Sequence, residues 1–269
     1  MVRSKHGVFW GIGLVALAGL VGCSPEPPPS PTAGGTSNSA SRGPKRRPQA
    51  ADAQPIDPTT VGSIRGTVLF EGEAPERKPL SISGAAGCHV EGHTPLTERV
   101  IVNDGRLVNV FVHVDRGLES WQLPDAPETA VLLDQKGCTY VPHVAGIQVG
   151  QTLRILNSDG ATHNVHARPR RNDSFNRSQP PGGAPLEHVF ERREVMLPIV
   201  CDIHPWMKTW IGVVEHPFHA VSAEDGTFVI EGLPPGTYTL AVWHEAYDER
   251  EIEVTVASGE ATSVELSFP

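Results

Sequence analysis

From Gly62 to the end of the chain, short apolar or alternating runs recur, and turn-forming residues separate them. Runs of this length and spacing are typical of strands in β-sandwiches rather than of βαβ units. Turn signals such as Asn103-Asp104-Gly105 and Pro234-Pro235-Gly236 lie between the runs. Because 27 of the 269 residues are glycine and 25 are proline, long helices are disfavoured. We predict an all-β chain in which 186–194 is the only candidate for a short helix.

The first 23 residues have the pattern of an export signal. Arg3 and Lys5 precede an apolar run at 8–21, which is shorter than the roughly 20 residues that a membrane span needs. The run ends in Leu20-Val21-Gly22-Cys23 and resembles the bacterial lipobox, which implies lipidation of Cys23. An ordinary secretory signal is the alternative. Ser24 follows the cysteine, which favours the outer membrane or cell surface within a cell-envelope location.

Residues 24–60 are rich in proline, serine and glycine and have no apolar periodicity. This composition is typical of a disordered, partly extended tether. The formal net charge of the chain is −9, so nucleic acid is not expected as a partner. We therefore expect a folded part that a linker holds away from the membrane.

The segment Cys201-Asp202-Ile203-His204-Pro205-Trp206-Met207 brings a thiol, an imidazole and a thioether together within one short stretch. These donors suit a soft, small metal ion, and two histidines, a cysteine and a weak axial methionine form the ligand set of blue-copper centres. Zinc accepts some of the same ligands, but the thioether favours copper. A second histidine is required from elsewhere in the chain.

Its best source is the string His163-Asn164-Val165-His166, which follows the turn and strand that begin at Val149-Gly150-Gln151-Thr152. With the Cys201 to Met207 loop, these motifs resemble the cupredoxins, the amicyanin and plastocyanin group of blue-copper proteins in particular. The resemblance covers about 139–215 and implies a Greek-key β-sandwich with one mononuclear type 1 copper ion. Trp206 replaces the phenylalanine of the family pattern.

The resemblance implies specific roles for the residues of both motifs. It implies these copper ligands: His163, Cys201, His204 and Met207. Asn164 matches a residue that ties the two ligand segments together, in line with the general need to orient metal ligands. His166 is the alternative to His163, but in an extended segment the two side chains point to opposite faces. The edge of His204, flanked by Pro205 and Trp206, is the expected electron port and docking surface.

Cys88 and Cys138 remain as a pair in an oxidising compartment, and a disulfide is the economical interpretation. A second metal site is the alternative, because His89 and His93 follow Cys88 and His143 follows Cys138. His216, His219 and His244 are scattered, and we expect them at the surface or at strand edges.

The segment from Phe218 to Pro269 resembles the carboxypeptidase regulatory-like, transthyretin-like sandwich, on the strength of Ala223-Glu224-Asp225-Gly226-Thr227-Phe228 and Leu233-Pro234-Pro235-Gly236-Thr237-Tyr238. Residues 64–73 resemble the opening strand of that module. The predicted organisation is a signal at 1–23, a linker at 24–60, opening strands at 61–95, a copper domain at 96–216 and the second sandwich at 217–269. We favour a copper domain that is inserted in the second sandwich.

These observations favour a lipid-anchored blue-copper protein that shuttles single electrons in the cell envelope. Its expected partner is a redox protein such as a c-type cytochrome or a copper or haem enzyme. A copper storage or delivery lipoprotein, and an envelope structural or adhesive lipoprotein with a vestigial site, are the alternatives. An enzyme is not expected, because copper oxidases and nitrite reductases need a further multi-histidine centre and the sequence has no paired His-x-His strings.

Overall fold

The computed structural model describes residues 52–82, 87–88 and 94–269. Within these ranges the chain is all-β, as predicted, and no helix has the length and apolar character needed to cross a bilayer. The predicted signal, the lipidation site Cys23 and most of the predicted linker lie outside the described residues. The strands are β1 (Gly62–Phe70), β2 (Val102–Asn103), β3 (Arg106–Leu107), β4 (Phe111–Arg116), β5 (Val131–Lys136), β6 (Thr139–Val141), β7 (Val144–Gln148), β8 (Thr152–Asn157), β9 (His163–Ala167), β10 (Phe175–Gln179), β11 (Leu186–Val189), β12 (Glu194–Val200), β13 (Lys208–Val214), β14 (His219–Val221), β15 (Thr227–Leu233), β16 (Gly236–His244), β17 (Tyr247–Val256) and β18 (Ala261–Phe268).

One sandwich is built from the middle of the chain. Its sheets have the orders β10-β9-β12-β13-β7 and β11-β8-β5-β6. Alternation along the strands fills the core between them: in β8, Leu153 and Ile155 are fully buried and Arg154 is exposed. Strand β9 pairs with β10 along its length and with the end of β12 through His166 and Ala167, so the start of β9 lies beside the loop that follows β12. We call this unit the middle sandwich.

The other sandwich takes strands from both ends of the described chain, and we call it the outer sandwich. Strand β1 pairs antiparallel with β15 and parallel with β18, and β4 lies between β14 and β16. The predicted turn Asp104-Gly105 joins β2 to β3 and has positive φ at both residues, 49° and 73°, as a tight hairpin turn requires. The outer sandwich has its own apolar core, which includes Ile64, Phe228 and Leu240.

The strand pairing does not follow the boundary that was predicted at residue 96 between the opening strands and the copper domain. Strands β2, β3 and β4, at 102–116, hydrogen-bond to β1, β14 and β16 of the outer sandwich rather than to the middle sandwich. The alternating runs in both sandwiches have the same period, so the sequence pattern did not distinguish them. Along the chain, the strands of the middle sandwich (β5 to β13) therefore lie between β1–β4 and β14–β18, which belong to the outer sandwich.

Two further expectations differ from the structure. The candidate helix at 186–194 is instead β11 followed by the start of β12, because Leu186–Val189 pairs with β8 across the sheet. The predicted disordered linker extended to residue 60, but Gln54 exchanges backbone hydrogen bonds with Ser120 and Gln122 at 2.8 Å each. Ile56 packs against the core of the outer sandwich.

A small apolar cluster joins the two sandwiches. Phe111 of β4 packs with Val144, Met196 and Val214 of the middle sandwich. Its ring lies so close to Gly212 of β13 that a Cβ atom there would overlap it. The interface therefore depends on the absence of a side chain at this glycine.

Candidate metal centre

The loop between β12 and β13 holds three of the predicted ligands. Its ends are joined because the Cys201 N–H donates to the Met207 carbonyl at 3.2 Å, and the Met207 N–H donates to the His204 carbonyl at 2.9 Å. Cys201, His204 and Met207 are buried, with 2%, 6% and 1% of their surface exposed. The loop geometry thus directs a thiol, an imidazole and a thioether into the interior of the middle sandwich.

The fourth predicted ligand comes from the start of β9. His163 is fully buried, and its Nδ1 lies 2.9 Å from Nδ1 of His204. The Cys201 Sγ lies 3.8 Å from the same His204 nitrogen. Donor atoms of His163, Cys201 and His204 all lie within 4.8 Å of one another. Two imidazoles and a thiol that converge in a buried space can hold a soft transition-metal ion.

Asp159 orients His163 and is a residue that the sequence analysis missed. Its Oδ2 accepts a hydrogen bond from His163 Nε2 at 2.8 Å. The same carboxylate accepts backbone hydrogen bonds from Gly137 at 2.6 Å and Cys138 at 2.9 Å. Because the Nε2 proton is directed at Asp159, Nδ1 of His163 is the nitrogen that faces the ligand cluster and that can bind a metal ion once it has lost its proton. An acidic residue four positions before the first histidine was the available signal.

Asn164 connects the two ligand segments. Its Oδ1 accepts a hydrogen bond from the Asp202 N–H at 2.7 Å and lies 3.3 Å from the Cys201 Sγ. Its Nδ2 donates to the Asp202 carboxylate at 2.9 Å. One side chain on β9 therefore holds the first turn of the ligand loop in place, which is the role that the resemblance implied.

The Cys201 sulfur and the His163 ring shift each other's pKa in opposite directions. Burial lowers the pKa of His163, but Asp159 and the Cys201 sulfur raise it to about 9. Burial raises the pKa of the Cys201 thiol, but His163 and nearby backbone N–H groups outweigh burial and lower it. Burial and the neighbouring His163 lower the pKa of His204. The site thus favours a thiolate, the form in which cysteine binds metal.

The predicted electron port differs from the structure. His204 is 6% exposed, and its Nε2 edge faces the Cys88–Cys138 disulfide, with Cys88 Sγ at 3.5 Å. This contact could not be predicted from sequence, because residues 88 and 204 are far apart along the chain. Among the described residues, Cys201 is the free cysteine.

Pro205 and Trp206, the two residues predicted to flank the electron port, differ in their exposure to solvent. Pro205 is exposed, as is its neighbour Ile203 at 52%. Trp206 is half-buried, and its Nε1 donates to the Cys138 carbonyl at 2.9 Å. The apolar surface beside the site is therefore formed mainly by Ile203 and Pro205.

His166 is not part of the converging set. It is half-buried, and its Nδ1 lies 2.9 Å from the Asp202 carboxylate. The alternation of β9 places it away from His163, in agreement with the expectation for an i, i+3 pair in a strand.

The remaining histidines were expected at the surface or at strand edges; His219 lies on the edge strand β14, but none of the three is exposed. His216 and His244 are buried, at 7% and 2% exposure, and His219 is half-buried. His113 of β4, which the sequence analysis overlooked, is fully buried and is paired in register with His219 of β14. His143 lies between Glu245 and Glu98, at 3.3 Å and 3.6 Å, rather than beside Cys138 as part of a metal site. His89 and His93 lie outside the described residues.

Comparison with known proteins adds a family for the C-terminal segment. Residues 213–268 match the family described as the carboxypeptidase regulatory-like domain. The matched range contains β14 to β18, which form most of the outer sandwich together with β1 and β4. No curated protein matches the chain.

Several solved structures are similar to part of the chain. One is a purple cupredoxin from Nitrosopumilus maritimus, with 24% identity and a TM-score of 0.27, covering 30% of this chain and 97% of that one. Another is a Cu-containing nitrite reductase from Thermus scotoductus, with 23% identity and a TM-score of 0.30, covering 38% of this chain and 25% of that one. A third is a reduced Cu(I) form of an amicyanin variant, with 18% identity and a TM-score of 0.29, covering 33% of this chain and 86% of that one.

Proposed function

We propose that the chain is a mononuclear copper protein that transfers single electrons in the cell envelope, anchored through a lipid on Cys23. The observation that supports it best is the convergence of His163, Cys201 and His204, whose donor atoms lie within 4.8 Å of one another although they come from two separate segments. One-electron exchange between Cu(I) and Cu(II) is the chemistry that the bound ion would supply.

The chain's own residues would keep this site rigid. His163 is oriented by Asp159, and Cys201 is oriented by Asn164. Met207 would supply the fourth, thioether ligand from the loop that its backbone hydrogen bonds close. Because these groups are buried and hydrogen-bonded before an ion arrives, little rearrangement would accompany electron transfer.

The exposed apolar residues Ile203 and Pro205, next to His204, offer a small docking surface of the kind that weak redox encounters use. A redox protein such as a c-type cytochrome, or a copper or haem enzyme, is the proposed partner.

A copper storage or delivery protein is the second candidate. It is favoured by the burial of His204 behind the disulfide, since a covered ligand slows exchange with partners. A reversible midpoint potential in voltammetry of the copper-loaded chain favours the electron carrier, and irreversible or absent current favours storage.

The test is to add Cu(II) to the purified full chain and record its visible spectrum. We expect an intense thiolate-to-copper charge-transfer band that Cys201→Ser abolishes. The matched control is His166→Gln, which changes a nearby imidazole outside the donor set and should retain the band. A colourless protein, or a band that survives Cys201→Ser, contradicts the proposal.

A further inference from the structure

The Cys88–Cys138 disulfide lies against both imidazoles of the candidate site, on the side away from the converging Nδ1 atoms. Cys88 Sγ is 3.5 Å from Nε2 of His204, and Cys138 Sγ is 3.8 Å from Nε2 of His163. The His204 ring therefore faces the ligand cluster with one nitrogen and a disulfide sulfur with the other, whereas Nε2 of His163 donates to Asp159 and passes near the second sulfur.

These sulfur atoms form donor groups of their own. Donor atoms of Cys88, Cys138 and His204 lie within 4.8 Å of one another and all three residues are buried. A second group, Cys138, Asp159 and His163, meets the same limit. In the disulfide the sulfurs cannot act as thiolates, so a metal site here requires that the S–S bond break and the two sulfurs move apart beside His204.

We propose that reduction of the Cys88–Cys138 disulfide creates a second metal site, specific for a soft monovalent ion such as Cu(I), with the two cysteine sulfurs as its main ligands and His204 Nε2 beside them. Soft thiolate ligands select Cu(I). The site shares the His204 ring with the Cys201 site, through the opposite nitrogen, but its two main ligands do not depend on whether the Cys201 site binds copper.

The reductant would be a dithiol. One of its thiolates attacks a sulfur of the disulfide to form a mixed disulfide, and its second thiol then releases the protein sulfur. Two electrons pass to the protein, which gains two thiols, and the reductant becomes a disulfide. Binding of Cu(I) by both sulfurs then releases the two thiol protons.

The surroundings would hold the sulfurs in place after the bond breaks. The Cys138 N–H donates to Asp159 at 2.9 Å, and the Cys138 carbonyl accepts from Trp206 Nε1 at 2.9 Å. On the other side, Gly87 has a φ of +86° and lies so close to the Gly160 backbone that a Cβ atom would overlap it. The residue before Cys88 is thus packed closely against the segment that leads to His163.

The experiment measures Cu(I) stoichiometry by competition with a chromogenic chelator under anaerobic conditions. The full chain carries Cys23→Ser, so that the remaining cysteines are Cys88, Cys138 and Cys201. We expect the oxidised chain to bind about one Cu(I) and the chain reduced with a phosphine to bind about two, because reduction adds a bis-thiolate site. Reoxidation should return the stoichiometry to its first value.

Two variants separate this site from the Cys201 site. In the reduced state, Cys201→Ser should retain about one Cu(I), held by the two freed sulfurs, and Cys88→Ser with Cys138→Ser should not gain an ion on reduction. If the Cys201 site fails to bind copper, the reduced chain should still gain one ion over the oxidised chain.

Equal stoichiometry in the oxidised and reduced chains overturns the proposal. A disulfide that resists reduction in the folded chain, measured by thiol titration, also overturns it. The oxidised-to-reduced comparison uses no substitution at Cys88 or Cys138, so it remains decisive if the double variant does not fold.

Discussion

Two groups of buried histidines in this chain have opposite environments. His163 and His204 face each other through Nδ1 at 2.9 Å, with the Cys201 sulfur beside them. His113, His216 and His219 lie where β4, β14 and the residues after β13 meet, and each has a buried Nδ1 without a hydrogen-bond partner among the described residues. Burial is common to both groups, but only the first has converging donors and an acidic residue that orients a ring. Convergence rather than burial therefore distinguishes a metal site.

The largest expected effect is on copper binding, when one histidine of the first group is removed and the second group provides the matched control. His163→Ala should abolish the Cu(II) charge-transfer band, because the site loses one of its strong ligands. The matched substitution His219→Ala should leave the band intact. Titration with Cu(II) and visible spectroscopy check both. A band lost in His219→Ala but kept in His163→Ala reverses the assignment of the two groups.

Acid should lower the stability of the folded chain through the second group, which consists of His113, His216 and His219. Burial lowers the pKa of His113 to about 4, helped by Arg193, which lies 3.2 Å from its Nε2. Burial lowers the pKa of His216 to about 3 and that of His219 to about 4. In the unfolded chain these groups take up a proton near the ordinary histidine pKa of about 6.5.

Because the folded pKa values are depressed, the unfolded chain binds more protons as the pH falls below about 6.5. The stability contribution is fully present above that pH and is lost progressively towards about pH 4, by roughly 3 kcal/mol for His113 alone. Urea unfolding of the copper-free chain at several pH values measures the loss. His219→Gln should flatten the profile, and an unchanged profile in this variant contradicts the explanation.

A smaller effect is expected when the orientation of His163 is weakened. Asp159→Asn places an NH₂ group where the carboxylate accepts N–H donors from His163, Gly137 and Cys138. Loss of such an orienting partner typically lowers metal affinity by about 10–100-fold. Competition with a copper chelator measures the affinity, and Asp173→Asn, at an exposed position, is the control. Equal affinities in the two variants would show that Asp159 does not position the ring.

The smallest effect is expected at the exposed ion pair beside the site. Arg168 contacts the Asp202 carboxylate at 2.8 Å, and its side chain is 54% exposed. Exposed ion pairs contribute little to stability because solvent screens them, so Arg168→Gln should leave the free energy of unfolding nearly unchanged. Urea unfolding and the copper band are the measurements. Loss of the copper charge-transfer band in Arg168→Gln would show that the metal site also depends on this exposed ion pair.

Strand positions were easier to predict than strand partners. The alternation in segments such as Thr237 to Trp243 predicted strands, and β16 contains that segment. The same alternation did not assign β2 to β4 to the outer sandwich, because a period of two is identical in every sheet. It also did not detect the strand at Leu186–Val189, whose partner β8 is about thirty residues away in the chain.

The sequence by itself determined the local chemistry: Cys201, His204 and Met207 lie on one loop because seven consecutive residues carry them. It also determined the turn at Asp104-Gly105, where the backbone needs residues that tolerate positive φ. Only the tertiary structure decided that Asp159 also accepts the N–H of Cys138, that the disulfide covers His204 and that His113 meets His219. These contacts join residues from different strands and loops, and their energies depend on the packing of the whole sandwich rather than on any short stretch of chain.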